Sequence, residues 1–539
     1  MIRSLICICL LGMAHYMSAQ TLSSSNLPIL KISTSGAIQD EPKINGNLEV
    51  IYNGAGIRNN INDPVHISHK IGIEIRGQSS QWFDKKGYGF EFRDAANEDV
   101  DTAFINFPSE SDFVLHGPYS DKSLVRNAMA YFIAGSIMDY APRIEMVEVM
   151  LDNQHNGIYL LTEKIKRDKN RVDINKLKDD ELTGDDLTGG YIFKSDKVDP
   201  GDRTWLSKYN PISGISDKPI YTIHYPKASD IQNVQFDYIK NVVGNFEDVM
   251  NSSGYENETT GYPSLIDIQS FVDFFFVNEI SRNVDGYRIS TFFHKDKDSN
   301  GGKIKAGPVW DFNLSFGNAD YCNGWLTSGW SYDFNSVCPQ DGFRLPFWWK
   351  KLIESQTFKE RTRDRWDDLR EAELSTDRIL EVYDSLTTLL QEAQVRNFQK
   401  FNVIGVYTWP NFNISSSYAG EVLWTRNWIQ ERLNWMDNQI SGFPSAISNP
   451  DYLTDFSIYP VPFVDHLTID FVPKVTGRAD FQIHDILGRQ VWSRSLDITA
   501  GRHEHLTYNV DLEKGYYTFQ LVHKNVIIQT GKMILGIDL

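Results

Sequence analysis

The stretch NEISRNVDGYRISTFFHKDKDSNGGKIKAGPVWDFNLSFGN, residues 278–318, limits the possible folds more than any other part of the chain. It follows the run SLIDIQSFVDFFFVNEIS, which is apolar nearly all round and therefore reads as a helix buried on every side. An aspartate, Asp285, stands just past that helix. Two alternating runs follow, RISTFFHKD and GKIKAGPVW, joined by SNGG, which is the pattern of a β-hairpin. A second aspartate, Asp311, ends the second run and is followed by FNLSFG. The two ends of a hairpin lie side by side, so the sequence predicts that these carboxylates share one neighbourhood.

The rest of the chain divides by periodicity. Between residues 30 and 115, segments such as ILKIST, LEVIYN, IGIEIRG and GYGFEFR alternate apolar and polar residues, predicting a β-rich lobe. Residues 121–139 predict a helix, and 144–165 a hairpin with the Asn156-Gly157 pair in its turn. Residues 166–188 are dense in charge and read as a mobile surface loop. Residues 346–400 and 420–440 repeat apolar residues at helical spacing, and their Trp, Leu and Ile stripe reads as core. A Pro- and Ser-bearing linker spans 441–455, and from 456 to 539 short strands separated by turns predict a small antiparallel sandwich. The fold class expected is therefore α+β, a β-rich part and a helical part followed by an all-β domain.

Residues 1–20, MIRSLICICLLGMAHYMSAQ, pair one arginine with a short apolar core and a small-residue exit, as in a secretory signal peptide. No later apolar run is long enough to span a bilayer, so no transmembrane segment is expected. Of the four cysteines, Cys322 and Cys338 lie outside that segment. In an exported protein such a pair reads as a disulfide, with two free thiols as the alternative. The formal net charge of −18 repels polyanions and argues against a nucleic-acid partner. Asp296, Asp298 and Asn300 open like a calcium loop, but the twelfth position is Gly307 rather than glutamate, so the segment reads as a polar turn.

Two carboxylates bracketing a hairpin match the layout of a kinase active site, where one accepts the hydroxyl proton and the other holds magnesium on the phosphates. Six blocks carry the likeness further: IEIRGQSSQWFDKKGYGFEF (73–92), DKSLVRNAMAYFIA (121–134), NGIYLLTEKIKRDKNRVDI (156–174), GGYIFKSDK (189–197), NVDGYRIST (283–291) and PVWDFNLSFGN (308–318). In this order they resemble the spore coat protein H (CotH) family of atypical secreted protein kinases, over residues 28–440. The resemblance implies an atypical bilobal protein-kinase-like domain with ATP and Mg²⁺ (or Mn²⁺) as cofactors. Its substrate would be the Ser or Thr hydroxyls of exported proteins.

By that resemblance Asp285 is the catalytic base and Asp311 the metal ligand. Ser290 stands where ordinary kinases place an asparagine on a second metal, and Asn313 replaces what is often a second acid of the family. Both remain candidate metal ligands, and both departures leave open a catalytically inactive, kinase-like surface protein or adhesin. Strand alternation favours Lys86 over Lys85 as the lysine on the nucleotide phosphates. The turn Arg76-Gly77-Gln78-Ser79-Ser80 stands in for a glycine-rich loop, with Arg76, Ser79 and Ser80 as phosphate contacts. Arg126, Asn127, Glu163 and Lys164 fall around the nucleotide cleft by resemblance. Glu163 reads as a partner of the anchoring lysine, a contact on the adenine side, or half of an exposed Glu–Lys pair. Trp325, Trp330, Trp348 and Trp349 suggest a carbohydrate surface only if they stand exposed in a row. Residues 459–463 (YPVPF), 484–491 (HDILGRQV) and 512–521 (LEKGYYTFQL) resemble the C-terminal sorting domain of the type IX secretion system, although Val461 stands where the family usually has Asn. That resemblance implies the secretion machinery as a partner and a secreted or cell-surface location, with a carbohydrate-binding or adhesive sandwich as the alternative.

Overall fold

Alternation in the first part of the chain closes into a barrel. In the computed structural model, which describes residues 22–444, 452–485, 489–523 and 526–536, the strand order is Ile144–Leu151, Gln154–Glu163, Asp112–His116, Gly87–Arg93, Ile67–Arg76, Ile44–Ile51 and Ile29–Thr34. The ring closes by parallel pairing of Ile29–Ile32 with Glu148–Leu151; the other neighbours are antiparallel. Inward residues fill it with a single apolar cluster that includes Leu48, Ile73, Phe90, Phe92, Phe113 and Leu161. The rings of Phe92, Phe104 and Phe113 meet edge-on at 4.9–5.9 Å. Such pairs contribute about 0.5–1.5 kcal/mol each beyond area burial. The residues read as signal peptide, 1–20, and residues 445–451 of the linker lie outside the described residues.

The hairpin in this region turns at Asp152 and Asn153, both at positive φ (48° and 64°), rather than at Asn156-Gly157. Asp and Asn tolerate the left-handed region well enough to supply the turn themselves. Gly157 instead lies within the second strand, where a Cβ would come within 2.5 Å of the Asn397 side-chain oxygen. The short helix Ala393–Lys400 packs there: Lys85 Nζ donates to Asn397 Oδ1 at 2.6 Å, and Arg396 pairs with Glu148 at 2.6 Å. The charged stretch 166–188 also differs from its expectation, since its Val172 and Ile174 enter a small core with Ile165, Ile192 and Phe292.

A second, five-stranded antiparallel sheet has the order Thr204–Leu206, Ile220–Tyr225, Tyr191–Ser195, Thr291–Lys295 and Ile304–Ala306. Its last two strands are the expected hairpin, in register from Phe293 opposite Ala306 to Lys295 opposite Ile304. The apolar run forms the helix Ile268–Ser281, buried continuously from Phe271 to Ser281. Asp267 caps its start by accepting from Ser270 N, and Arg282 ends it in the left-handed conformation. Helices dominate the later region, among them Gln356–Arg370, Thr376–Leu389 and Tyr418–Ile440. Trp348 and Trp349 are buried, at 2% and 0% exposure, so they belong to a core and not to an exposed aromatic row.

The described chain forms two compact units: one of residues up to Val249 with Ser264–Phe347 and Thr376–Leu433, the other of Met250–Pro263, Trp348–Ser375 and Asn434 onward. The second contains the terminal sandwich. Its three-stranded sheet is Leu453–Tyr459, His466–Pro473, Glu504–Asn509, and its four-stranded sheet is Gln490–Ile498, Gly477–His484, Gly515–His523, Val526–Leu535. Phe463, Ile469, Phe471, Phe481 and Leu521 lie in their shared core.

Candidate active site

Asp285 sits in the turn that follows the buried helix. Its neighbour Gly286 passes so close to the helix that a Cβ would lie 2.5 Å from Asn278 Oδ1, so a larger residue would have to displace the Asn278 side chain. Tyr287, at φ 68° and fully buried, reaches back to donate its hydroxyl to Glu279 at 3.1 Å. Glu279 is itself fully buried against Arg432 of the helix Tyr418–Ile440 (3.0 Å), and also accepts from Ser331 N and Tyr332 N. Burial works against both charges, raising Glu279 and lowering Arg432 to about 9, which still leaves the guanidinium charged at neutral pH. Removing the Glu279 charge leaves the Arg432 guanidinium buried with the carbonyls of Glu279, Thr327 and Gly329 but without that carboxylate. Glu279→Gln is therefore expected to cost about 3–5 kcal/mol in urea unfolding. A loss below about 1 kcal/mol would contradict this account of how the turn is anchored.

Asp311 is held from the other side. Its backbone has φ 63°, and its N–H donates to the Tyr131 hydroxyl at 3.3 Å. The next N–H, of Phe312, donates to Asn127 Oδ1. Both acceptors lie on the helix Arg126–Ile137, so the block DKSLVRNAMAYFIA positions Asp311, a role that spacing alone did not assign. Arg126 is absorbed below it, bonding Asp121 at 2.6 Å and Thr425 at 2.9 Å.

The two aspartates lie within electrostatic reach of each other and of a third, Asp196. Burial, with Asp285 and Asp196 adding like charge, lifts the Asp311 carboxyl to about 6, against the opposing pull of Lys197 and Arg76. Asp285 is raised as well, chiefly by burial; Arg288 and Lys197 oppose this, while Asp341 and Asp196 reinforce it. Asp196, at the end of the strand Tyr191–Ser195, accepts from Lys194 Nζ at 2.8 Å and from Ser290 N at 3.1 Å. Ser290 is thus tied to Asp196 through its backbone, at φ 49°. Sequence reasoning quoted the block GGYIFKSDK without singling out Asp196 or Lys197; an Asp between two lysines at a strand end was the available signal.

The cations gather on the barrel side. Arg76 ends the strand Ile67–Arg76 and lies over the Trp310 ring at 5.7 Å. Burial lowers its guanidinium, while Glu74 and Asp311 support its charge. The turn at Ser79–Trp82 follows. Gly77 has φ 98°, and a Cβ there would fall 2.0 Å from Ser80 Oγ. Lys197 Nζ lies 3.4 Å from Ser79 Oγ. Burial, with Lys194, Lys164 and Arg76 nearby, takes the His224 imidazole to about 4 even though Ile165 O accepts from it, so it is neutral at pH 7.

Lys86 stands elsewhere. Its ammonium donates to the carbonyls of Gln81 (2.7 Å) and Phe83 (2.6 Å), stapling the turn that carries Ser79 and Ser80. Lys85 is buried over Tyr159 and Phe401, where desolvation pushes it well down. Glu163 bonds Arg143 (3.0 Å) and the Tyr140 hydroxyl (3.1 Å), with Arg171 at 3.7 Å, so its partners are two arginines and a tyrosine. At 1% exposure it is not half of an exposed pair. Lys164 instead sits 3.6 Å from Asp112. The calcium-like turn is neutralised by lysine, with Asp298 2.8 Å from Lys295 Nζ. Cys322 and Cys338 form the expected disulfide, with their Cα atoms 5.3 Å apart.

Among the described residues, no three His, Cys, Asp or Glu side chains are spaced to hold a metal by themselves. Magnesium is ordinarily held by one or two carboxylates together with phosphate oxygens and water. A pair of raised, mutually repelling aspartates facing Arg76 and Lys197 fits that donor chemistry when phosphate is supplied with the ion.

Comparison with known proteins bears on both parts of the chain. Residues 457–536 match the secretion system C-terminal sorting domain, which marks the protein as secreted or held at the cell surface and implies the type IX machinery. No helix among the described residues is long and apolar enough to cross a membrane. No curated protein matches the chain. Among solved structures, a β-glucosidase from Listeria innocua in complex with glucose aligns at 11% identity over 16% of each chain, with a TM-score of 0.12. The alkylpurine DNA glycosylase AlkC of Pseudomonas fluorescens, bound to DNA containing an abasic site analog, aligns at 10% identity over 35% of this chain and 49% of its own, also at 0.12. At such scores neither likeness bears on fold or chemistry. Residues 73–436, which hold the barrel strands from Ile73 onward, both aspartates and the disulfide, match the CotH kinase protein model, and the chain belongs to that family.

Proposed function

We propose that the protein is an exported, metal-dependent kinase that moves the γ-phosphoryl group of ATP to Ser or Thr hydroxyls of other exported proteins. The observation that carries this reading is that Asp311 lies within electrostatic reach of Asp285, Arg76 and Lys197. Asp285 is the base: raised toward neutrality, it accepts the hydroxyl proton as transfer proceeds. Asp311 is the metal ligand, with Asn313 and Ser290 as auxiliary oxygens and Asp196 beside them. Bound Mg²⁺ (or Mn²⁺) neutralises charge on the phosphates. Arg76 and Lys197, with Ser79 and Ser80 of the turn, hold the phosphate oxygens. Lys86 supports Ser79 and Ser80 by fixing the turn that carries them. In this reading residues 28–440 form a bilobal kinase-like module, 441–455 a linker and 456–539 the export domain, with 1–20 removed as the signal.

A second reading, an inactive kinase-like surface protein or adhesin, draws on Ser290 and Asn313, which are neutral where a second metal would prefer stronger donors. Thermal melting separates the two. ATP with Mg²⁺ at a hundred times its dissociation constant should stabilise an intact site by about 2.7 kcal/mol. Asp311→Ala should abolish the shift. A melting point unmoved by nucleotide and metal would favour the inactive reading.

A further inference from the structure

Arg288 uses its whole guanidinium as a bracket. It is 3% exposed, and its Nη2 pairs with Asp285 Oδ1 at 2.9 Å while Nη1 pairs with Asp341 Oδ1 at 3.1 Å. Its Nε donates to Val284 O at 2.8 Å, and the plane lies 4.0 Å from the centre of the Phe334 ring. Arginine is suited to this because its fork is planar and permanently charged, so it fixes direction as well as supplying charge.

Two of the residues that hold Arg288, Phe334 and Asp341, lie within or just beyond one covalently closed segment. Phe334 lies between Cys322 and Cys338, and Asp341 follows three residues after Cys338. Tyr321, immediately before Cys322, is in electrostatic reach of Asp285, Arg288 and Asp341. The bond therefore joins the chain beside Asp285 to the chain that supports Arg288. The segment has little regular structure, only the turns Ser331–Asp333 and Phe334–Val337. A small pocket is lined by Asn283 and Val284 of the turn before Asp285 together with Cys322, Phe334 and Val337. Asn335 exchanges two hydrogen bonds with Leu345, at 2.9 and 3.0 Å, which do not involve the disulfide. Loss of the bond should therefore loosen the segment rather than unfold it. Both cysteines are half-buried, and Cys338 is flanked by exposed Ser336, Val337, Pro339 and Gln340, so a small thiol approaches the bond from the Cys338 side.

We propose that Arg288 is the positioning residue for Asp285, and that the Cys322–Cys338 bond sets Arg288, so that the site is rigid when oxidised and loose when reduced. This rests on the phosphotransferase reading above. The reductant is a dithiol. One of its thiolates attacks a sulfur of the pair, breaks the S–S bond and forms a mixed disulfide. Its second thiol then closes the reductant's own disulfide, leaving Cys322 and Cys338 as thiols with two electrons and two protons gained.

The test uses the mature full-length protein, oxidised or treated with dithiothreitol, together with Arg288→Ala and Arg288→Lys. Hydrogen exchange is followed on peptides covering 283–291, with 88–93 of the barrel as control, and ATP-dependent autophosphorylation is measured alongside. Reduction and Arg288→Ala should each speed exchange at 283–291 at least about tenfold and leave 88–93 unchanged. kcat should fall about ten- to a hundredfold with KM for ATP within about twofold, and Arg288→Lys should restore part of it. Unchanged exchange at 283–291 in either the reduced protein or Arg288→Ala overturns the proposal. Loss of protection in 88–93 on reduction also overturns it, because the bond would then hold the fold at large. Faster exchange at 283–291 with no phosphoryl transfer in any state sustains the coupling and rejects the kinase reading instead.

Discussion

Asp285→Asn is expected to lower phosphoryl transfer by about 10²–10⁴ while the protein stays folded and binds nucleotide within a few-fold of the parent. Asparagine keeps an oxygen for Arg288 Nη2, which Asp285 meets at 2.9 Å, so the bracket survives in shape. What is lost is a group able to take the acceptor's proton, a contribution realised only as the reaction proceeds. The change should therefore appear in kcat and kcat/KM alike. Radiolabel transfer in Asp285→Asn at the parental rate would remove the base assignment. It would leave Asp311 as the only named acid in the reaction.

Asp311→Asn should make the metal-free protein more stable at pH 8. In the folded protein the Asp311 carboxyl is lifted from 3.8 to about 6 by burial and by Asp285 and Asp196. Below about pH 4 both folded and unfolded chains carry the proton, and the residue is neutral in its effect. Between the two values only the folded chain keeps it, so stability falls as pH rises. Above about 6 the penalty is complete, and two units correspond to about 3 kcal/mol at most. Asparagine carries no charge and escapes it. Urea unfolding in EDTA should show Asp311→Asn ahead by about 1–3 kcal/mol at pH 8, with the difference closing by pH 4. Magnesium and ATP should reverse the order, since only the parent has the ligand. A variant less stable than the parent at pH 8 without metal would mean that Asp311 is a structural anchor and not a strained functional acid.

The carboxylate pair was readable because local signals fix it. A helix with no polar face, a turn at Asp285-Gly286 and a Gly-rich hairpin leave little freedom in where Asp285 and Asp311 come to rest, and their mutual electrostatic reach agrees. The alternation between residues 30 and 115 likewise announced strands. It could not announce closure, because Ile29–Ile32 pairs with Glu148–Leu151, and nothing in either segment names the other. Lys86 shows the same limit at the level of one side chain. Alternation assigns a face, but the carbonyls of Gln81 and Phe83, exposed by a 3₁₀ turn, decide where its ammonium goes. Arg76 over Trp310, Lys197 beside Ser79, and Asp196 on Ser290 join separate blocks of the chain. Each block was visible on its own, whereas their meeting is a property of the folded sheet.

The barrel borrows polar partners from far downstream. Lys85 and Glu148 are satisfied by Asn397 and Arg396, 312 and 248 residues further on. A chain made amino end first presents Lys85 and Glu148 long before the helix that bonds them. Until then an ammonium and a carboxylate must stay wet, which keeps the ring from sealing. Completion of the amino-terminal part is thus tied to arrival of the helix Ala393–Lys400.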